Sequence, residues 1–142
     1  CNAFGWFLAY LKIPALITGA LLGVSNNKIV VLLLINLLLL ALGTIMDMAP
    51  LIMITTPILM PVIQSIGMNP IQFGVMMVLN LAIGLCTPPV GAVLFVGCTI
   101  GKISMEKLTK SLFPFYAAML AVLMLVTFVP EVVLFIPNLL LK

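Results

Sequence analysis

The residues best placed for chemistry form one short segment in the middle of a long apolar stretch. It reads Gly84-Leu85-Cys86-Thr87-Pro88-Pro89-Val90-Gly91. Each proline lacks an N–H and crowds the carbonyl four residues back, so a continuous helix would leave the Gly84 and Leu85 carbonyls without donors. Thr87 precedes proline and is pushed away from helical geometry as well. The segment therefore predicts a broken helix, and a kinked but continuous helix buried in a bundle is the alternative.

A break of this kind creates two helix ends that can bind charge. The half ending at Leu85 would direct free carbonyls into the gap, which suits a cation. The half starting after Pro89 would direct the N–H groups of Val90, Gly91 and Ala92 into it, which suits an anion. Unsatisfied backbone groups cost several kcal/mol in hydrocarbon, so the break needs a protein or water-filled surrounding. Broken helices that bind sodium and anionic substrates are typical of secondary transporters.

Polar residues elsewhere in the apolar stretches have two interpretations each. Asp47 is the only aspartate, and it is either part of an ion site or the N-cap of the helix that follows, or both. Thr55 and Thr56 precede Pro57, and their hydroxyls either repair carbonyls freed by proline or face a substrate.

Two asparagines lie within apolar helices rather than at helix ends. Asn36 and Asn80 are each surrounded by aliphatic residues. Hydrogen bonding between helices is the default role for such side chains. We expect both to join neighbouring helices.

The composition requires an apolar solvent. Of 142 residues, 65% are hydrophobic and 6% are charged, which is too few charges to cover a soluble surface. The chain has no histidine, and Cys1, Cys86 and Cys98 form no zinc or redox spacing. These features indicate an all-α polytopic membrane protein, and they argue against an enzyme and against nucleic-acid binding.

Lysines, prolines and glycines divide the chain into three parts. Residues 1–28 are predicted to be the end of a preceding helix and an interfacial connecting helix. Residues 29–101 form a hairpin (29–66) and a proline-broken helix (71–101, with halves 71–85 and 92–100). Residues 102–142 form a loop and a final span over 112–129. Because the chain begins at Cys1 without a recognisable leader, we expect it to be part of a longer polypeptide.

The hairpin is predicted to be re-entrant. Its second arm, 51–65, would be roughly 22 Å long, which is short for a bilayer core about 30 Å thick. Two ordinary spans remain the alternative. Lys102, Lys107 and Lys110 place the loop at 102–110 in the cytoplasm and the C-terminus outside, although Lys28 and Lys142 argue weakly against this.

Two segments carry a resemblance to a known family. They are the run from Asn36 to Pro61, which contains Met46-Asp47-Met48-Ala49-Pro50, and the run from Phe73 to Gly91. They resemble the C-terminal part of the large membrane subunit of TRAP (tripartite ATP-independent periplasmic) transporters. The resemblance implies an ion-transporter fold with inverted repeats, of which this chain would hold one half: a re-entrant helical hairpin plus a broken transmembrane helix.

The resemblance also implies a function and a site. It implies sodium-coupled import of organic acids such as C4-dicarboxylates or sialic acid across the bacterial inner membrane, by an elevator-like movement. Sodium is the coupling ion, with no other metal or cofactor. The hairpin tip and the broken-helix loop would together hold sodium, and the loop would face the substrate carboxylate. Candidate sodium-binding residues are Gly43, Asp47, Gly84, Thr87, Pro88 and Gly91, and candidate substrate-binding residues are Thr56, Thr87, Pro88 and Pro89.

The implied partners are a small membrane subunit, a periplasmic substrate-binding protein, the remaining N-terminal part of the large subunit and the lipid bilayer. The alternative is a membrane scaffold or assembly subunit without its own binding site. That alternative predicts continuous helices through residues 88–91.

Overall fold

The computed structural model describes residues 27–141 and the isolated positions 3, 10, 16, 19, 20 and 23. The continuous range forms α-helices and contains no strand. The helices are α1 (Lys28–Ile45), α2 (Met48–Ser65), α3 (Pro70–Leu85), α4 (Ala92–Gly101), α5 (Met105–Phe128) and α6 (Pro130–Leu140). The all-α prediction is confirmed. The predicted helix end and connecting helix before residue 27 lie outside this continuous range.

Short polar side chains mark where the first three helices begin. The side chains of Asn27, Asp47 and Asn69 each accept a hydrogen bond from a backbone N–H in the following first turn. Such caps satisfy donors that have no partner inside the helix. Pro70 opens α3 at a position where its missing N–H costs nothing.

The helices have the lengths and surfaces of a polytopic membrane protein. Three of them, α1, α2 and α5, are long and apolar enough to cross a bilayer, while α3, α4 and α6 are shorter apolar helices. Large apolar side chains such as Phe95, Phe113 and Phe135 are more than 60% exposed. An apolar surface of this extent is stable only against lipid or further protein.

One core joins four of the helices. Buried side chains of α1, α2 and α3 form it, together with Leu123 and Val126 from α5. Leu39, Leu81 and Met76 are completely enclosed. The core fixes the hairpin and the first half of the broken helix relative to each other.

Buried amides cross-link the same helices, as predicted for Asn36 and Asn80. Asn80 Nδ2 donates to both Asn36 O and Asn36 Oδ1 at 2.9 Å, and Asn36 Nδ2 donates to Thr127 Oγ1 at 3.1 Å. Gln72 Nε2 donates to the carbonyls of Val126 (3.0 Å) and Thr127 (2.9 Å). These bonds connect α1, α3 and α5 where no water competes.

Two predicted boundaries are wrong. The second hairpin arm begins at Met48, not 51, and has 18 residues because Asp47 caps it directly. The lysine-bearing segment is not a loop throughout: α5 begins at Met105, so Lys107 and Lys110 are helical. Lysine is a good helix former, and Glu106 in the first turn complements the helix dipole.

The final span ends within one residue of the predicted position, because α5 ends at Phe128 and the prediction was 129. Pro130 then opens the further helix α6, which the sequence analysis did not predict. Proline is favourable at the first position of a helix, so it ends α5 and starts α6.

Candidate ion and substrate site

The broken helix has the form that the double proline predicts. The first half ends at Leu85 and the second begins at Ala92. The alternative of a continuous, kinked helix is wrong. Gly91, the last residue of the break, has φ 42° and ψ 75°, a left-handed conformation that favours glycine.

The carbonyls at the end of α3 differ in whether they accept a hydrogen bond. The Gly84 carbonyl, which a continuous helix would leave without a donor, accepts a hydrogen bond from the Thr87 N–H at 2.9 Å because the helix ends here. Thr87 Oγ1 donates to Ile83 O at 2.7 Å, which leaves the hydroxyl lone pairs available. The Leu85 carbonyl would pair with residue 89 in a helix, and Pro89 has no N–H to offer.

The carbonyl oxygens of Leu85 and Thr87 both lie beside Gly91. A β-carbon added to Gly91 would be 3.1 Å from Thr87 O and 3.3 Å from Leu85 O. Both oxygens therefore face the same small volume. A side chain at position 91 would fill this volume. Glycine therefore leaves both oxygens accessible to a ligand.

The hairpin reaches the break through a second glycine contact. A β-carbon on Gly84 would lie 2.7 Å from the carbonyl carbon of Gly43 and 2.8 Å from its Cα. Gly43 is in the last turns of α1, and Gly84 is in the last turn of α3. The C-terminal ends of both helices thus meet in backbone contact, which brings together two of the candidate sodium-binding residues, Gly43 and Gly84.

Asp47 caps α2 at the hairpin tip. Its Oδ1 accepts a hydrogen bond from the Met48 N–H at 2.8 Å, and the residue is exposed. The capping prediction is confirmed. Among the described residues Asp47 has no hydrogen bond to the loop at 86–91, and its participation in an ion site stays a prediction.

The two hairpin threonines do not repair the carbonyls that proline frees. Thr56 Oγ1 donates to Ile52 O at 2.6 Å, and Thr55 makes the equivalent bond to Leu51 O. Pro57 frees the carbonyl of Met53, which neither hydroxyl contacts. A helical threonine reaches the carbonyl four residues before itself, which explains the error. Thr56 is half-buried, and its contact with a substrate stays a prediction.

The anion-binding end is shifted along the chain relative to the prediction. The first intrahelical bond of α4 joins Phe95 N to Gly91 O at 2.9 Å. The free N–H groups of the first turn therefore belong to Ala92, Val93 and Leu94. Of the three predicted donors, Ala92 lies in this first turn, Gly91 is the N-cap and Val90 lies in the turn before the helix.

Two of the predicted substrate residues, Pro88 and Pro89, lie in the break and differ in exposure. Pro88 is half-buried and lines a cavity of about 390 Å³ against the start of α5, with Glu106, Thr109 and Lys110. Pro89 is exposed. Within the described part of the chain, no group of three or more His, Cys, Asp or Glu could hold a metal.

Tyr116 is the site neighbour that the sequence analysis missed. Its hydroxyl donates to Cys86 O at 2.6 Å across 30 residues of chain. A buried tyrosine hydroxyl normally finds a partner, so its position inside an apolar span was the available signal. The partner itself depends on tertiary structure.

Comparison with known proteins agrees with this architecture. Residues 1–132 match the family described as "Tripartite ATP-independent periplasmic transporter, DctM component". The chain is 45% identical to the isethionate TRAP transporter permease protein DctMQ of Oleidesulfovibrio alaskensis, over 93% of this chain and 21% of that protein. It is 41% identical to the sialic acid TRAP transporter large permease protein SiaM of Vibrio cholerae, over 97% of this chain and 32% of that protein.

A further relative is named for a different substrate. The C4-dicarboxylate TRAP transporter large permease protein DctM of Rhodobacter capsulatus is 38% identical over 96% of this chain and 31% of that protein. The chain thus spans about a fifth to a third of the length of these curated relatives, which are named as permeases and not as enzymes. A match over nearly the whole chain shows that it belongs to the DctM family of TRAP transporter large permease components.

Proposed function

We propose that this chain is the part of a sodium-coupled TRAP permease that holds a sodium ion and one side of the organic-acid site. One observation carries the proposal: the C-terminal ends of α1 and α3 are held in backbone contact at Gly43 and Gly84. A scaffold without a site was expected to have continuous helices through 88–91, and the break at 86–91 weighs against that alternative.

The electrostatics of this contact favour a cation. Each helix C-terminus carries roughly half a negative charge, and neither α1 nor α3 has a basic residue in its last turn. Two such ends in contact repel each other until a positive charge lies between them. Hard carbonyl oxygens are suitable ligands for a small cation such as sodium, and Leu85 and Thr87 supply two of them.

The start of α4 favours the anionic part of the substrate. Its first-turn N–H groups have no partner within the helix, and they carry the positive end of its dipole. The relatives are named for isethionate, sialic acid and C4-dicarboxylates. Because all of these are organic acids or their anions, an organic acid is the substrate class that we propose here.

Contacts along the bundle support a hairpin that enters and leaves on one side. Lys28, Gln72 and Thr127 line one cavity, so α1 and α3 both start where α5 ends. Tyr116, near the middle of α5, contacts the break. Since α5 has 24 residues and is about 36 Å long, the break lies beside the middle of α5, and we propose on that ground that the hairpin is re-entrant.

The remaining parts of the proposal concern the assembly. The loop after α4, with Lys102, would be cytoplasmic and the C-terminus periplasmic, in a bacterial inner membrane. A small membrane subunit and a periplasmic binding protein would complete the transporter. The site would cross the membrane by an elevator-like movement of the helices that carry it.

The test is sodium-dependent uptake by the complete transporter in proteoliposomes. Thr87→Ala removes a hydroxyl oxygen beside the break, and Asp47→Ala removes the tip carboxylate. Both variants should raise the sodium concentration needed for half-maximal uptake. Thr99→Ala is the matched control, because Thr99 makes the same hydroxyl-to-carbonyl bond (Oγ1 to Phe95 O, 2.9 Å) on the exposed face of α4.

The result that counts against the site is specific. If Thr87→Ala and Asp47→Ala both keep the sodium dependence of the unmodified transporter, the assignment of these residues is wrong. If uptake by the unmodified transporter does not depend on sodium at all, the coupling proposal is wrong.

A further inference from the structure

We infer that Tyr116 is a positioning residue that sets which backbone carbonyls of the broken helix are available to a cation. The inference rests on the proposed sodium site. It concerns a side chain on α5, which is not part of the hairpin or of the broken helix.

Three carbonyls lie beyond the last regular bonds of α3. They belong to Leu85, Cys86 and Thr87, because a helix would pair them with residues 89, 90 and 91, which lie in the break. The Tyr116 hydroxyl occupies Cys86 O at 2.6 Å. The oxygens of Leu85 and Thr87 lie near Gly91 and accept no hydrogen bond from the described residues.

The same hydrogen bond fixes the orientation of a peptide unit. The carbonyl of Cys86 and the N–H of Thr87 belong to one planar group. The carbonyl end is held by Tyr116, and the N–H end is held by Gly84 O at 2.9 Å. A peptide plane bonded at both ends cannot rotate, and its orientation determines where the flanking carbonyls of Leu85 and Thr87 point.

The helix that carries Tyr116 is itself fixed by hydrogen bonds to its neighbours. At its other end α5 is tied to α1 by the bond from Asn36 Nδ2 to Thr127 Oγ1, and to α3 by the bonds from Gln72. The Tyr116 hydroxyl therefore stands on a helix that packs with the site. Without it the Cys86 carbonyl would be free to turn toward the cation and to displace Leu85 or Thr87.

The test is Tyr116→Phe, which removes one oxygen atom and leaves the ring. Thermal unfolding of the complete transporter in lipid nanodiscs is measured across a sodium titration, and uptake is measured in proteoliposomes. The net value of one hydrogen bond converts to roughly a threefold to tenfold rise in the sodium concentration for half-maximal effect. We expect that rise with little change in maximal uptake and in the unfolding midpoint without sodium.

Ser111→Ala is the matched control, because it removes a hydroxyl from α5 that bonds only within its own helix, to Lys107 O. An unchanged half-maximal sodium concentration in Tyr116→Phe would overturn the inference and leave the sodium site intact. Equal destabilisation with and without sodium would show a purely structural contact and also overturn it. Failure of the proposed function is distinguishable, because then the unmodified transporter shows no sodium response.

Discussion

The contact between Gly43 and Gly84 leaves no space for the methyl group that Gly84→Ala would add. In Gly84→Ala the new β-carbon would lie 2.7 Å from the carbonyl carbon of Gly43. Ordinary contacts begin at 3.4 Å, so the two atoms must separate by 3.4 − 2.7 = 0.7 Å. Both partners are backbone, so no flexible side chain can move aside and the helices themselves must shift.

The size of the effect follows from the packing around this contact. A gap of 0.5–1 Å removes about a quarter to a half of the attraction between facing atoms. Forced overpacking of this kind typically costs about 1–3 kcal/mol. Replacing glycine by alanine inside a helix otherwise gains about 0.5–1 kcal/mol. We therefore expect a net destabilisation of Gly84→Ala by up to about 2.5 kcal/mol, and by about 1–3 kcal/mol relative to an unstrained Gly→Ala change in the same helix.

Gly74→Ala is the matched control on the same helix, because a β-carbon there meets nothing within 4 Å. Gly43→Ala is intermediate, since its nearest contacts are at 3.3–3.4 Å. Thermal unfolding in detergent can be followed by the circular dichroism signal of the helices. We expect Gly74→Ala to be the most stable variant, Gly43→Ala intermediate and Gly84→Ala the least stable. If Gly84→Ala is as stable as Gly74→Ala, the close approach of the two helices is refuted.

Two further predictions concern polar groups at the two ends of the bundle. Gln72→Leu should lower stability by about 1–3 kcal/mol in the same unfolding assay. In a helix Val126 O would pair with the N–H of residue 130, but Pro130 has none, and the Gln72 amide supplies the missing donor. Gln64→Leu on the exposed face of α2 is its control, and equal stability of the two would contradict the role of Gln72. Asp47→Ala should weaken the start of α2 by about 1 kcal/mol, whereas Asp47→Asn keeps a capping oxygen and should keep most of that stability. A sodium response that survives in Asp47→Asn would show that the charge of Asp47 is not needed.

Rules that act within a few residues of chain were reliable here. The two prolines predicted the break because the missing N–H groups are a property of the residues themselves. The same holds for Asp47 as a cap, since an N-cap bonds the turn that directly follows it. The asparagine bonds were predictable in kind, because an amide in an apolar helix must find a partner, although the partner Thr127 was not.

Contacts between distant segments set the limit of prediction. The bond from Tyr116 to Cys86 crosses 30 residues, and nothing in either local sequence indicates the other. The carbonyls that stay paired at the break were not predicted either: Thr87 closes one tighter turn and donates to Gly84 O before the chain leaves the helix. The start of α5 was missed because lysines were assigned to a loop by charge alone.

Glycines and a proline, rather than a cluster of ionisable side chains, shape the candidate site where the hairpin meets the break. Glycine at 43 and 84 permits two helix ends to meet, proline at 89 withholds a donor from Leu85, and glycine at 91 leaves space beside the exposed oxygens. In the proposed sodium site most ligands would be carbonyls, which every residue has. In hydrocarbon a carboxylate would have to be neutralised whenever the cation leaves, whereas a carbonyl has no net charge to neutralise. The proposed site is therefore better built mainly from backbone oxygens than from a cluster of acidic side chains.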